Sequence, residues 1–388
     1  MSTPRPLRVA MVSASLDVGG SERQMVYLAQ HLPRDRFIVE FVLLTHPGTL
    51  APSAEAAGVR VRALDWALAR ERGHALRWLW DIMRFGPALR RGHYDVVDAW
   101  LFHAYAICSA TRPVHRIPVL LSGRRSLSDF KGSHNSVNFL ADAIGKRAVD
   151  AIVANSEAVR ADVSQREHIA PERIRVIYNG VEIPPPMPAA EREAIRAGWG
   201  FGPDTVIVGS VANYKPRKGL ETMLRVAAKL HQQVPELRMV LIGEGPERPQ
   251  LERMIAELGL SEVVRLHGRE PDARRLYGAF DMVAHASESE GLPNVLLEAA
   301  AAGRAIVATA AGGSSEVVLA GESGLIVPVG DEDGFAREML RLVRDPALRE
   351  RLGAAARERA ATVFGMDRFV AQTAALYEEL AERKGVRR

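Results

Sequence analysis

The sequence predicts an α/β protein built from two parallel-sheet domains. Short runs rich in β-branched residues alternate with longer amphipathic segments along all 388 residues, as in repeated strand–helix–strand units. Prolines crowd residues 183–188 near the midpoint, where they can continue neither a sheet nor a helix and therefore predict a linker. An apolar content of 47% provides enough material for two separate cores. We place the domain boundary between residues 184 and 185.

Each short apolar run predicts a strand, and three of the segments between them have clear helical character. Helices are expected over residues 22–31, 76–90 and 156–167. Open parallel sheets bind ligands beyond the carboxyl ends of their strands, so the glycine-rich loops there are expected to face a cleft between the domains. The predicted strands are 9–12, 38–43, 59–61, 96–98, 118–121, 151–154, 175–178, 206–211, 239–242, 263–266, 282–284, 305–308 and 325–327.

The composition excludes several kinds of protein. Cys108 is the only cysteine, so no internal disulfide can form, which is consistent with a reducing compartment. No apolar run approaches the ~18 residues of a membrane span, and the N-terminal run is too short for a signal peptide. We therefore expect a cytoplasmic protein. Residues 1–185 carry 24 Lys and Arg against 18 Asp and Glu, a net charge of +6, which reflects either an anionic partner or chance clustering of arginines.

Two glutamates flank the most informative segment, residues 290–298. Glu290 follows a predicted strand, and Glu298 lies one turn inside the helix that comes next. Pro293 suits the first helical position, and Gly291 lets the backbone approach a ligand closely. The start of the helix offers N–H groups and the positive end of its dipole to an anion. Carboxylates that accept hydrogen bonds from hydroxyls, beside an anion site, predict a phosphate-linked, hydroxyl-rich ligand.

A further loop follows the first strand of each domain. Gly19 and Gly20 allow the backbone to approach a phosphate or a sugar, although a plain strand-to-helix turn explains them as well. Lys215, Arg217 and Lys218 surround a proline ahead of a helix. Three cations there suit a diphosphate, with a solvated basic turn as the alternative.

Other candidate residues follow later strands. Gly243 and Glu244 lie in a turn that suits packing over a flat base or a ribose, and Arg269 suits stacking on a base or is a surface arginine. His103 has aromatic neighbours, which favour a core histidine over a functional one. Segment 70–91 mixes tryptophans with arginines; a helix that packs on the core is favoured over one that lies in a membrane interface. No histidine–cysteine cluster has the spacing of a zinc site.

Taken in this order and at this spacing, the loops resemble those of the family 4 glycosyltransferases of the GT-B fold. The resemblance covers nearly the whole chain, and the Glu290–Glu298 pair matches that family's Glu-x7-Glu signature. It implies two Rossmann-like domains facing across a cleft: residues 1–184 on the acceptor side and 185–365 on the donor side, with a helix in 366–388 crossing back to the first domain. The segments that carry the resemblance are 19–24, 154–159, 176–182, 217–219, 242–245, 289–294 and 310–316.

The resemblance also implies roles for individual residues. Glu290 would contact the donor sugar, Glu298 the ribose hydroxyls and Lys218 the diphosphate. His103 maps to a histidine near the reacting sugar. The other implied donor-binding residues are Gly19, Gly20, Asn213, Lys215, Arg217, Gly243, Glu244, Arg269, Gly291, Leu292, Pro293 and Asn294. Transfer would retain the configuration of the anomeric carbon and need no metal or other cofactor.

Two positions depart from the family pattern. Asn213 stands where members usually carry arginine, and Trp100 stands where many carry histidine. Lys215 or Arg217 is available to supply the charge, and His103 the imidazole. The expected activity is transfer from a nucleotide diphosphate sugar, with a UDP-sugar favoured, to a glycan or polyprenyl-linked acceptor. An anionic membrane surface is a candidate partner, and nucleic acid is not. A sugar-nucleotide 2-epimerase and a non-catalytic nucleotide-sugar binder remain as alternatives.

Overall fold

The computed structural model describes residues 5–66, 75–127, 145 and 147–386; the side chains of residues 75–82 lie outside that description. The chain divides into two compact units. The first comprises Met1–Gly180 together with Met366–Arg388, and the second comprises Val181–Gly365. The first boundary between the units, after Gly180, therefore lies shortly before the boundary between residues 184 and 185 that the prolines predicted.

The first unit is built on a seven-stranded parallel sheet with the order β3-β2-β1-β4-β5-β6-β7. Its strands are β1 (Leu7–Ser13), β2 (Phe37–Leu43), β3 (Arg60–Ala63), β4 (Val96–Trp100), β5 (Val119–Arg124), β6 (Ala151–Ala154) and β7 (Ile174–Val176). Its helices are Gly20–His31, Ala51–Ala56, Ala75–Arg91, Leu101–Ala110, Arg112–His115, Glu157–Glu167 and Met366–Arg383, with a 3-10 turn at Pro171–Arg173.

The second unit is built on a six-stranded parallel sheet with the order β10-β9-β8-β11-β12-β13. Its strands are β8 (Val206–Val211), β9 (Leu237–Ile242), β10 (Val264–Gly268), β11 (Met282–His285), β12 (Ala305–Thr309) and β13 (Leu325–Val327). Its helices are Ala189–Gly198, Leu220–His231, Arg248–Glu257, Asn294–Ala301, Ser314–Val317, Glu332–Arg344 and Pro346–Val363, with a 3-10 helix at Ala273–Ala279.

The two parallel sheets confirm the predicted α/β class. Every residue of β4 and of β12 is buried, which explains why these strands are mostly apolar rather than alternating; Asp98 is the charged exception in β4. Helices cover both faces of a parallel sheet, so neither face is left to polar side chains.

The last helix, Met366–Arg383, packs on the first unit. The ring of Tyr377 meets that of Phe37 edge-on at 6.1 Å between centroids. Arg36 donates to both carboxylate oxygens of Glu378, from Nε at 3.1 Å and from Nη2 at 2.5 Å. The Tyr377 hydroxyl also donates to Asp98 Oδ2 at 2.6 Å, so a buried polar contact joins the helix to the middle of β4 in addition to the apolar packing.

The helix Ala75–Arg91 belongs to the segment that the sequence offered as a core or membrane-interface helix. Phe85 and Leu89 are fully buried, while Arg84 and Arg90 are exposed, so the described side chains fit the core-packing interpretation. The other residues of that segment include Arg70, Arg72, Trp78 and Trp80, whose side chains lie outside the described residues. Within the described part of the chain, no helix has the length and apolar character needed to cross a membrane.

Candidate active site

One edge of the second sheet gathers the loops that follow its parallel strands. From β8 the chain moves to β9 and then β10 on one side, and it returns to place β11 on the other side of β8. Open α/β sheets bind ligands where the strand order reverses in this way. Loops 212–219 and 286–293 leave β8 and β11, so the basic loop and the Glu290 loop lie side by side at that point.

A buried charged cluster joins these two loops. Lys218 Nζ donates to Glu290 Oε1 at 2.8 Å, and His285 Nε2 lies 3.1 Å from the same oxygen. Only 13% of the Glu290 side chain and 4% of the His285 side chain are exposed. Burial alone would raise the pKa of Glu290, but the contact with His285 and the charge of Lys218 outweigh it and lower this pKa to about 2. Glu290 is therefore ionised at neutral pH.

The backbone of the two loops is fitted together around this cluster. Gly219 has a φ of 69°, and a Cβ there would lie 2.0 Å from the carbonyl oxygen of Ala286. Arg217 also has a positive φ, 70°, which is unusual for a residue with a side chain. Its carbonyl accepts hydrogen bonds from the Glu288 N–H at 2.8 Å and the Ser287 hydroxyl at 3.1 Å. Gly219 is thus required for the approach that brings Lys218 to Glu290.

The turn between the two glutamates differs in one detail from the prediction. Pro293 has an extended backbone (φ −74°, ψ 109°) and caps the helix Asn294–Ala301, so its predicted place as first helical residue is wrong by one position. The Gly291 carbonyl accepts from the Gly313 N–H at 2.9 Å, which ties the turn to the loop after β12. Leu292 is buried beneath it.

Glu298 is oriented by a buried tyrosine. The Tyr277 hydroxyl donates to Glu298 Oε2 at 3.0 Å, and Tyr277 itself is fully buried in the 3-10 helix Ala273–Ala279. The hydroxyl fixes one carboxylate oxygen, which restricts the directions in which the carboxylate accepts further hydrogen bonds.

The loop after β9 also packs against the loop after β8. Gly243 has a φ of 144°, and a Cβ there would lie 1.8 Å from the carbonyl oxygen of Ala212. The Tyr214 N–H donates to the carbonyl of Glu244 at 2.9 Å, and the Glu244 carboxylate pairs with Arg248. Glycine at 243 is therefore explained by this close backbone approach.

The remaining predicted residues of the second unit lie at the surface. Asn213, Lys215, Arg217 and Arg269 are exposed, whereas Lys218 is partly buried against Glu290. The structure thus brings Lys218, Glu290 and the Gly243 loop to one edge and leaves the donor contacts of the four exposed residues as predictions.

In the first unit, Gly19 and Gly20 form the junction between β1 and its helix. Gly19 is the extended N-cap (φ −149°) and Gly20 is the first helical residue. A Cβ at Gly19 would lie 2.2 Å from Glu22 Oε2, so a side chain there would displace that carboxylate. Burial raises the pKa of Glu22 above its usual value.

His103 has the environment opposite to the sequence interpretation. His103 is exposed on the first turn of the helix Leu101–Ala110, so its interpretation as a core histidine is wrong. Trp100 is the fully buried residue, and its Nε1 donates to Asp98 Oδ2 at 2.8 Å. Leu101 between them has a φ of 66°, a strained value that turns the chain sharply at the end of β4.

Sequence reasoning missed two residues of the site, His285 and Tyr277. His285 ends β11, one residue past the predicted strand, and a histidine in a buried strand is itself a signal because it needs a polar partner. Tyr277 precedes β11 and carries no local signal, since its contact with Glu298 depends on the tertiary fold. Among the described residues, no group of three or more His, Cys, Asp or Glu is placed to hold a metal ion.

Comparison with known families gives matches across both units. The model described as "Glycosyltransferase Family 4" matches residues 18–183, and the model described as "Glycosyl transferases group 1" matches residues 191–359. A D-inositol 3-phosphate glycosyltransferase from Streptomyces bingchenggensis is 30% identical over 97% of this chain and 90% of its own length. The lipopolysaccharide core biosynthesis glycosyltransferase LpsE from Rhizobium meliloti is 37% identical over 38% of this chain and 43% of its own.

Solved structures share the fold. Anabaena Alr3699/HepE in complex with UDP-glucose superposes with a TM-score of 0.83 at 23% identity, covering 96% of this chain and all of that one. The sucrose-phosphate synthase from Thermosynechococcus elongatus superposes with a TM-score of 0.81 at 20% identity, covering 97% of this chain and all of that one. These relatives favour neither the epimerase nor the non-catalytic binder.

Proposed function

Because this chain belongs to the family 4 glycosyltransferases of the GT-B fold, we propose that its second unit binds a nucleotide diphosphate sugar and that the sugar passes to a glycan or lipid-linked glycan acceptor. The favoured donor is a UDP-hexose, in keeping with the UDP and UDP-glucose complexes solved for a protein of the same fold. The observation that carries the proposal is the ion pair of Lys218 and Glu290 where the strand order reverses.

Lys218 is assigned to the leaving group. Breaking the bond between the anomeric carbon and the diphosphate places negative charge on a β-phosphate oxygen. In the free protein the Lys218 ammonium is held by Glu290, and a bound diphosphate would compete for it at the same edge of the sheet. The N–H groups at the start of the helix Asn294–Ala301 add positive potential there. Together they supply preorganised stabilisation of the developing charge, so we propose transfer without a metal ion.

Glu290 is assigned to the transferred sugar. Its depressed pKa keeps the carboxylate ionised, and an ionised carboxylate accepts strong hydrogen bonds from sugar hydroxyls. When Lys218 turns to the diphosphate, His285 still holds the carboxylate in place. In the proposed retaining route, the acceptor oxygen attacks the anomeric carbon on the face that the diphosphate leaves. The acceptor proton passes to the departing phosphate, and no covalent bond to the enzyme forms.

The rest of the donor is assigned to the neighbouring loops. Glu298, fixed by Tyr277, would accept hydrogen bonds from the ribose hydroxyls. The Gly243 turn with Glu244 would border the base or ribose, with Arg269 available to stack on the base. In the first unit, Gly19 and Gly20 would approach the donor, and the exposed His103 would lie near the reacting sugar. The positive charge of residues 1–185 motivates an anionic membrane surface as partner, which sedimentation with anionic and neutral liposomes tests.

The experiment is a thermal-shift panel of UDP-, GDP- and ADP-sugars. A ligand at ~100 times its Kd stabilises the folded state by ~2.7 kcal/mol. We expect the UDP-sugars to give the largest shift and Glu298→Ala to reduce it, because the variant loses charge-assisted hydrogen bonds of ~1.5–3 kcal/mol each. Glu257→Ala, an exposed glutamate of the same unit, is the matched control. The proposal fails if no sugar nucleotide shifts the wild type, and the role of Glu298 fails if its variant shifts as the control does.

A further inference from the structure

Four neighbouring strands of the first sheet end on strained or unsatisfied residues. Ser13 ends β1, Leu101 follows β4, Arg125 follows β5 and Asn155 follows β6. Ser13 Oγ, Arg125 Nε and Asn155 Oδ1 are buried without a hydrogen-bond partner, and Leu101 has its positive φ. Buried polar atoms in folded proteins nearly always have partners, so orphaned donors and acceptors collected at one sheet edge need an explanation.

Arg125 is a partly buried cation, with its Nε atom fully buried, and it has no ion pair among the described residues. Its guanidinium stacks on Trp100, 3.9 Å from the ring centroid, and Nη1 donates to Asn179 Oδ1 at 3.0 Å. The Asp98 carboxylate interacts favourably with the charge of Arg125, and its Oδ2 accepts hydrogen bonds from Trp100 and Tyr377. Burial lowers the pKa of Arg125 to about 10.

The adjacent residue, Arg124, is an arginine at the same edge whose guanidinium has a carboxylate partner. Arg124 pairs with Glu167, with Nη2 to Oε2 at 3.2 Å and Nε to Oε1 at 3.4 Å, and it stacks on Tyr105. Arg125 has comparable aromatic support from Trp100 but, among the described residues, no carboxylate paired with it. Leaving a partly buried guanidinium without a paired anion costs free energy, which a bound anionic ligand would offset.

The adjoining strand supplies a complementary group. β5 and β6 run in register, with Arg124 opposite Ala154, so Arg125 and Asn155 are the next residues of neighbouring strands. The Asn155 side chain donates from Nδ2 to the carbonyl of Arg125 at 3.4 Å, which leaves its Oδ1 as the unused acceptor. The edge therefore offers a planar cationic donor beside an acceptor for a hydroxyl.

We infer that this edge of the first unit binds an anionic sugar unit of the acceptor, with its phosphate or carboxylate on Arg125 and a hydroxyl on Asn155. A guanidinium matches the planar geometry of both anions. The inference rests on the proposed function, in which the first unit takes the acceptor, and it narrows the acceptor class to acidic glycans.

The test is calorimetric titration of three sugars that share the gluco configuration and differ in charge and its source: glucose 6-phosphate, glucuronate and neutral glucose. Saturating UDP is present, so that phosphate binding does not report on the Lys218 pocket. We expect the wild type to bind at least one of the two anionic sugars, and Arg125→Gln to weaken that binding at least about tenfold through loss of a charged hydrogen-bond donor. Whichever anion binds more tightly identifies the acidic group.

Two further variants serve as a matched control and as a substitute in case Arg125→Gln does not fold. Arg175→Gln removes an exposed arginine of the same unit and is expected to bind as the wild type does. If Arg125→Gln does not fold, Arg125→Lys retains the buried charge but not the planar fork, and it too is expected to weaken anion binding. The inference is overturned if neither anion binds at millimolar concentration, if neutral glucose binds as tightly as the anions, or if the Arg125 variants match Arg175→Gln. A UDP titration of each variant separates this failure from failure of the donor site.

Discussion

The contact between Lys218 and Glu290 predicts a measurable coupling free energy between the two side chains. The pKa of Glu290 falls from 4.5 to about 2, although burial opposes the shift. At ~1.4 kcal/mol per pKa unit, that difference favours the ionised form by ~3 kcal/mol. His285 contributes more of the lowering than Lys218 does, so we expect a Lys218 coupling of ~1 kcal/mol, in the lower part of the ~0.5–3 kcal/mol range for residues in contact. Lys218→Met should therefore couple to Glu290→Gln by about this amount at pH 7.

The assay is a double-mutant cycle in urea, followed on the unfolding transition of the second unit. Because the folded pKa of Glu290 lies below the unfolded value, its stabilising contribution is complete above pH ~4.5 and is lost as the pH falls towards ~2. The coupling should shrink over that window. The control is Lys229→Met, an exposed lysine that pairs with Glu332 and Asp333 at 2.9 Å. Lys229→Met should show no coupling to Glu290→Gln. A Lys218–Glu290 coupling near zero, or one that does not change with pH, would refute the reasoning.

Three other predictions follow from the contacts described above. Gly219→Ala should destabilise the second unit more than Gly321→Ala does. Both glycines have φ above 60°, but only a Cβ at position 219 would lie against Ala286. Equal denaturation midpoints of the two variants would contradict this. Tyr377→Phe should cost ~1.5–3 kcal/mol by removing a hydrogen bond to buried Asp98, and an unchanged urea midpoint would argue against it. His285→Ala should lower turnover more than donor affinity, and His285→Gln should retain part of the turnover because its side chain can still donate to Glu290. Equal turnover in the two variants would show that the contact with Glu290 is not what matters.

Much of the architecture was predictable because parallel strands that are buried on both faces are mostly apolar. The run at 282–284 shows this, since β11 occupies Met282–His285. The loops after the strands were predictable for a related reason: glycine at 219 and at 243 marks backbone approaches that no side chain permits.

The pairings within the site were not predictable from the sequence. Lys218 and Glu290 are far apart in the chain, and their contact depends on β11 lying beside β8, a matter of strand order that local patterns do not encode. The environment of His103 was misjudged because aromatic neighbours in sequence do not report which way a helix turns after a strained residue. The placement of the last helix came from the family resemblance rather than from its own pattern.

The most direct test of the central claim is transfer itself. The rate of sugar transfer from a UDP-sugar to an acidic glycan acceptor would be measured for the wild type, Lys218→Met, Glu290→Gln and the control Lys229→Met. We expect the two site variants to lose ~100-fold or more, in line with the removal of a preorganised charge-stabilising group, and Lys229→Met to remain active. Full activity in Lys218→Met and Glu290→Gln would contradict the account and place the donor elsewhere.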